Sequence, residues 1–242
     1  ASITKISMSN NFFQFKHFTV WHDRCAMKVG TDGVLLGAWA PVEGCTNVLD
    51  VGTGTGLIAL QLAQRAPQAK IVGVEIDKAA AEQAEENIGR SAWKDRMTVL
   101  CCDFRNYSSE VGFDLIVSNP PYFLDALKSP DKQRSVARHT DSLNYDLLFR
   151  HSSHLLQPHG VIAIIIPFEV EQTVEDVAWM HQLYPVRRMR VFTKPGKPCR
   201  RVMLAFSFEK RDCVNEELCI EQAAGGYSKE YVDLTREFYL KM

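Results

Sequence analysis

Leu49-Asp50-Val51-Gly52-Thr53-Gly54-Thr55-Gly56 is the stretch on which the reading of this chain turns. It closes an apolar run, Thr46 to Val51, and opens a segment, Leu57 to Arg65, whose apolar residues recur at helical spacing. Glycines at this junction let the backbone turn sharply and approach a ligand, because no Cβ stands in the way. The dinucleotide fingerprint asks for Gly or Ala three residues after Gly54, where this chain has Leu57, so a nucleoside ligand other than NAD is expected.

Outward from this turn, short β-branched runs alternate with helical patterns. Strands are expected at Thr46 to Val51, Lys70 to Glu75, Met97 to Cys101, Asp114 to Ser118 and Val161 to Ile166. Between them Leu57 to Arg65, Lys78 to Arg90 and Asn144 to Leu156 carry helical periodicity, with Pro67 and Pro158 as stops. Such alternation means parallel strands joined by helical crossovers. Two last strands, Val186 to Phe192 and Val202 to Phe208, flank Thr193-Lys194-Pro195-Gly196-Lys197-Pro198, a connection short enough to make them antiparallel. The expectation is an α/β fold: a seven-stranded, mostly parallel sheet with an antiparallel C-terminal hairpin and helices on both faces. One domain is expected, with residues 46–208 as its core, 1–45 as an N-terminal extension rich in Phe and Trp, and 209–242 as a C-terminal extension.

Composition narrows the class. At 46% hydrophobic and 24% charged residues, with 14 Gly and 10 Pro in 242, the chain is neither collagenous nor disordered throughout. The longest apolar run, Val161 to Ile166 before Pro167 and Phe168, falls far short of the ~20 residues that cross a bilayer. Ala1 to Phe18 lacks the continuous apolar stretch of a secretory signal, and the missing initial Met suggests trimming. A cytoplasmic location is expected. The seven cysteines form no C-x-x-C pair and read as reduced, small buried hydrophobes. Net charge is only −1, yet no acidic residue lies between Ala178 and Phe208, where Arg187, Arg188, Arg190, Lys194, Lys197, Arg200 and Arg201 crowd together. From Asp212 to Met242 the balance reverses. This asymmetry suits a polyanion docking on one face.

The ends of successive strands carry the chemistry, as open α/β sheets bind ligands there. Glu75 ends the second strand, where a carboxylate can accept both ribose hydroxyls. Asp103 and Phe104 follow the third, suited to the amino group and the face of an adenine. Asn119-Pro120-Pro121-Tyr122 ends the fourth. The double proline removes two donors and stiffens the chain, leaving the Asn119 amide and Pro120 carbonyl as fixed acceptors and the Tyr122 ring free to stack on a planar group. Two acceptors suit an amide or exocyclic nitrogen, whose lone pair is delocalised and must be reshaped before it can attack. Attack on an activated methyl needs positioning and electrostatics, not a covalent enzyme intermediate.

Asp-x-Gly-x-Gly-x-Gly over Asp50 to Gly56 resembles motif I of S-adenosylmethionine (SAM) dependent methyltransferases, and Asn-Pro-Pro-Tyr resembles the signature of those acting on adenine N6, cytosine N4 or glutamine N5. The fold this implies is the Rossmann-like class I methyltransferase. Over Phe12 to Phe208 the chain is similar to the bacterial family that methylates N6 of adenosine 37 in a valine tRNA. Carrying the likeness are Phe15, Phe18, the Lys28 to Gly37 segment, both motifs, Ala137-Arg138-His139 and the basic hairpin. The resemblance implies SAM as cofactor and tRNA as partner. Lys28, Thr31 and Asp32 would border the methionine end, with Asp50, Gly52, Gly54, Gly56, Glu75, Asp103 and Phe104 holding the remainder. Asn119, Pro120 and Tyr122 would receive the adenine, and Lys132, Arg134, Arg138, His139, Lys194, Lys197, Arg200 and Arg201 would meet RNA.

His151 and His154 stand three apart on an expected helix without further ligands, so no metal is called for. The rival enzymatic reading is a protein glutamine N5-methyltransferase. That family carries a longer helical domain before motif I, whereas 49 residues precede Asp50 here. A non-catalytic SAM- or RNA-binding module is the other alternative.

Overall fold

The expected alternation folds into one main sheet of eight strands, not seven, beside a two-stranded hairpin. The computed structural model describes residues 10–121 and 144–242. The strands are β1 (Phe12–Gln14), β2 (Thr19–Trp21), β3 (Asn47–Val51), β4 (Lys70–Glu75), β5 (Met97–Cys101), β6 (Phe113–Ser118), β7 (Leu156–Pro167), β8 (Tyr184–Phe192), β9 (Arg201–Ser207) and β10 (Val214–Cys219). The α-helices are α1 (Thr31–Trp39), α2 (Leu57–Arg65), α3 (Lys78–Gly89), α4 (Tyr145–Leu155), α5 (Glu171–Met180) and α6 (Lys229–Thr235). No helix among the described residues is long and apolar enough to cross a membrane.

Across the main sheet the order is β10-β8-β9-β7-β6-β3-β4-β5, with β9 antiparallel to both neighbours and every other pair parallel. Helices α1, α2 and α3 pack their apolar residues on one face, with Leu35, Leu60 and Ala84 in that core. Leu148, Phe149 and Val174 of α4 and α5 fill the other. Adjacent strands β3 and β6 therefore send their crossovers to opposite faces, opening a crevice at their carboxyl ends. Ser118 at the end of β6 donates its hydroxyl to the Val51 carbonyl at 2.9 Å, fixing the two strand ends together.

Local chemistry sets the helix starts. Asp77 accepts the Ala80 N–H and caps α3, and Asn144 accepts the Leu147 N–H and caps α4. At the opposite end of the sheet, Asp114 accepts the N–H groups of Thr46 and Asn47 at 2.7 and 2.9 Å, and His159 lies 2.9 Å away. Burial would raise the Asp114 carboxyl, but these partners hold it down at about 2.

The eighth strand comes from the C-terminal segment. β10 runs parallel to β8, and Glu216 sits beside Met189 in register while its carboxylate takes Arg187 at 2.7 Å. Arg188 pairs with Glu171 and Glu175, and Arg190 with Glu171. Three arginines of the basic run are thus neutralised within the protein, which corrects the reading of that run as one surface for a polyanion. The cysteines depart from expectation too: all seven are unpaired, but six are half-buried and Cys101 is exposed.

The N-terminal hairpin is sewn to the rest. Phe15 stacks on Phe18 at 4.8 Å between ring centres, and the Lys16 N–H donates to the Phe238 carbonyl. Buried Asn87 on α3 accepts the Trp21 N–H at 2.9 Å and donates to the carbonyls of Trp21 and Thr55, at 2.9 and 2.8 Å.

Candidate active site

The glycine turn between β3 and α2 forms one wall of the crevice. Gly52 and Gly54 take φ of +71° and +55°, a region that penalises any side chain. A Cβ at Gly52 would meet nothing within 4 Å, and one at Gly54 only Cys25 Sγ at 3.8 Å, so the cradle stays open because both residues are glycine. Both line a cavity of about 320 Å³ with Lys28, Thr31, Asp32 and Asn119. Segments some ninety residues apart in sequence meet there.

Glu75 at the end of β4 accepts the Gly54 N–H at 2.8 Å and, through its other oxygen, the Asp77 N–H at 3.0 Å. Each oxygen keeps a further lone pair with which to take a hydroxyl. Asp50 was expected to help hold the cofactor. It lies fully buried beneath the turn, with one oxygen accepting the Thr53 hydroxyl at 2.8 Å and the other without a hydrogen-bond partner among the described residues. Burial pushes its pKa up to about 7, against the pull of Thr53. Asp50 therefore supports the turn and, like Gly56 and Glu75, is not among the residues that line the cavity. Gly73 on β4 is part of that support, since a Cβ there would come within 2.9 Å of Thr53 Cγ2. A glycine inside a β-branched strand is the signal that could have found it.

Asp103 and Phe104 also lie outside the cavity lining. Asp103 accepts the Arg105 N–H at 2.9 Å and meets its guanidinium, which holds the carboxyl below the usual range. Phe104 is buried, edge-on to His151 at 4.7 Å between ring centres, so its ring stands in the core and not over an open pocket. His151 is occupied at the Tyr107 carbonyl, 2.7 Å away.

Asn119 follows β6 into the cavity wall. Its Oδ1 is buried, and among the described residues it has no hydrogen-bond partner. A buried amide oxygen left in that state costs about 1–3 kcal/mol, so a donor is expected to reach it. Pro120 is buried next to it. Tyr122, Lys132, Arg134, Arg138 and His139 lie outside the described residues.

The basic hairpin is divided. Lys194 pairs with Glu221 at 3.0 Å and stays half exposed, and Lys197 and Arg200 are exposed beside it. Arg201 turns instead toward the cavity, where its Nε lies 2.9 Å from Asp32 Oδ2. No sequence pattern pointed to that pair.

The open cradle, the glycine turn and an Asn119 oxygen with no partner among the described residues all fit SAM with an amine beside it. The fold is similar to that of the crystal structure of a predicted O-methyltransferase of Agrobacterium tumefaciens, with a TM-score of 0.69 at 17% identity, over 86% of this chain and 96% of that one. Residues 30–175 match the Methyltransferase small domain family. Fold and site together define a class I SAM-dependent methyltransferase. The tRNA1(Val) (adenine(37)-N6)-methyltransferase of Bacteroides fragilis strain YCH46 is 56% identical, over 97% of this chain and all of the relative. The enzyme of that name from Bacteroides thetaiotaomicron is also 56% identical, with the same coverage. The chain belongs to the tRNA1(Val) (adenine(37)-N6)-methyltransferase family.

Proposed function

We propose that this protein transfers a methyl group from SAM to N6 of adenosine 37 in the anticodon loop of tRNA1(Val). The observation that carries this reading is the buried Asn119 Oδ1, which has no hydrogen-bond partner among the described residues and stands at the wall of a cavity that two glycines keep open. Bound there, SAM supplies a methyl carbon made electrophilic by positively charged sulfur.

The protein's own residues do the rest by placement. Lys28 and Asp32 offer opposite charges to the carboxylate and ammonium of the methionine end, with Thr31 beside them. Glu75 takes the ribose hydroxyls while it holds Gly54. The target base must leave the loop stack to be reached. Asn119 Oδ1 and the Pro120 carbonyl then accept the two amine hydrogens. Held so, the nitrogen is drawn out of the base plane and its lone pair turns toward the methyl carbon. Tyr122 is assigned to stack on the target adenine, and Asp103, just past the end of β5, to the amino group of the cofactor's adenine. Lys194, Lys197 and Arg200, with Lys132, Arg134, Arg138 and His139, are assigned to phosphates and loop nucleotides around the target. A cytoplasmic location follows from a tRNA substrate.

The test is incubation of the protein with SAM and total unmodified tRNA, then nuclease digestion and mass spectrometry. N6-methyladenosine at position 37 of tRNA1(Val) is the expected product. Methyl groups found instead on a protein glutamine would replace this reading.

A further inference from the structure

Arg201 entered the sequence reading as an RNA contact, but its surroundings give it different work. It opens β9, in register with Pro167 on one side and Val191 on the other, so its backbone is fixed by two strands. Its Nε lies 2.9 Å from Asp32 Oδ2, and both side chains are largely screened from solvent, with exposures of 30% and 25%. A charge-assisted hydrogen bond between partly dry groups is worth more than a surface pair.

Asp32 sits in the first turn of α1, which supplies Thr31, Asp32 and Gly33 to the cavity wall. That turn has no side-chain cap, because its preceding residue is Gly30. Among the described residues, Asp32 ties this wall to β9 of the main sheet.

We propose that Arg201 is a positioning residue for the cofactor: it fixes Asp32 and the first turn of α1 at the methionine end of the cavity. This rests on the assignment of Asp32 to that end. The basic hairpin then has two jobs, with Lys194 and Lys197 facing outward to RNA while the strand that follows them braces the cofactor wall.

The experiment measures SAM affinity by calorimetry, steady-state kinetics against SAM, and the salt dependence of tRNA binding for Arg201→Ala, Arg201→Lys and Asp32→Asn. Thermal melts verify that each variant is folded. Arg201→Ala should raise the Kd and KM for SAM about tenfold, leave kcat at saturating SAM within about threefold, and leave the salt slope unchanged. Arg201→Lys keeps the charge but loses the planar donor, so it should fall between Arg201→Ala and the parent. Unchanged SAM affinity in Arg201→Ala, with a salt slope lower by about one, would overturn the proposal and make Arg201 a phosphate contact. If Asp32→Asn weakens SAM and Arg201→Ala does not, the positioning role alone fails. If neither weakens SAM, the assignment of Asp32 to the cofactor fails with it.

Discussion

Glu75 Oε2 accepts the backbone N–H of Gly54 at 2.8 Å, so the acid that ends β4 also shapes the glycine turn that ends β3. Removing it would take away the acceptor proposed for the ribose and the Gly54 contact at once. Glu75→Ala should weaken SAM by about ten- to hundredfold, the range for hydrogen bonds to a charged group, with tRNA affinity unchanged. Calorimetry with SAM is the check, and normal affinity would refute the ribose assignment.

Asn119 should behave in the opposite way. Asn119→Ala removes the acceptor proposed for the reacting amine while leaving the glycine turn intact. We expect kcat to drop about 100- to 1,000-fold, the scale for one catalytic hydrogen-bonding group, with SAM affinity held within a few fold. Loss of SAM binding would show that the residue serves the cofactor.

Lys194 and Lys197 belong to the outward side of the hairpin. Replacing both with Ala should lower the slope of log affinity for tRNA against log salt by about one to two and leave SAM affinity alone. The Glu221 carboxylate 3.0 Å from Lys194 places the smaller share of that loss on Lys194. An unchanged slope would remove the hairpin from the RNA interface.

Asp114 provides a test of stability away from the site. Its folded carboxyl is held at about 2, below the ordinary value of about 3.9, so the native state binds fewer protons than the unfolded chain between those values. Its stabilisation is complete above about pH 4 and is lost as pH falls toward 2. Asp114→Ala should cost about 1–3 kcal/mol at neutral pH and flatten this acid limb, as read by urea unfolding across pH, while KM for SAM stays unchanged.

Some of this was legible because local chemistry and fold agreed. α2 begins and ends as expected, since the glycine turn and Pro67 bound it in sequence, and β4 and β5 match residue for residue. β10 was missed because Val214–Cys219 carries Asn215, Glu216 and Glu217, a composition that reads as solvated chain. Its carboxylate at Glu216 is satisfied by Arg187, a relation between strands that no local window contains. The ends of β3 to β6 were legible, but the sequence carries no signal for side-chain direction there: Phe104 turns into the core and Asp50 is buried. Arg201 was legible as a cation, yet its partner lies 169 residues earlier.

Asn87 has a practical consequence for anyone preparing this protein. Cutting the amino end beyond Trp21 would remove two of its three hydrogen bonds, stranding a sealed amide whose remaining link is the Thr55 carbonyl inside the glycine turn. A shortened version made for convenience would therefore lose methyl-donor affinity without any change to a residue that touches the donor.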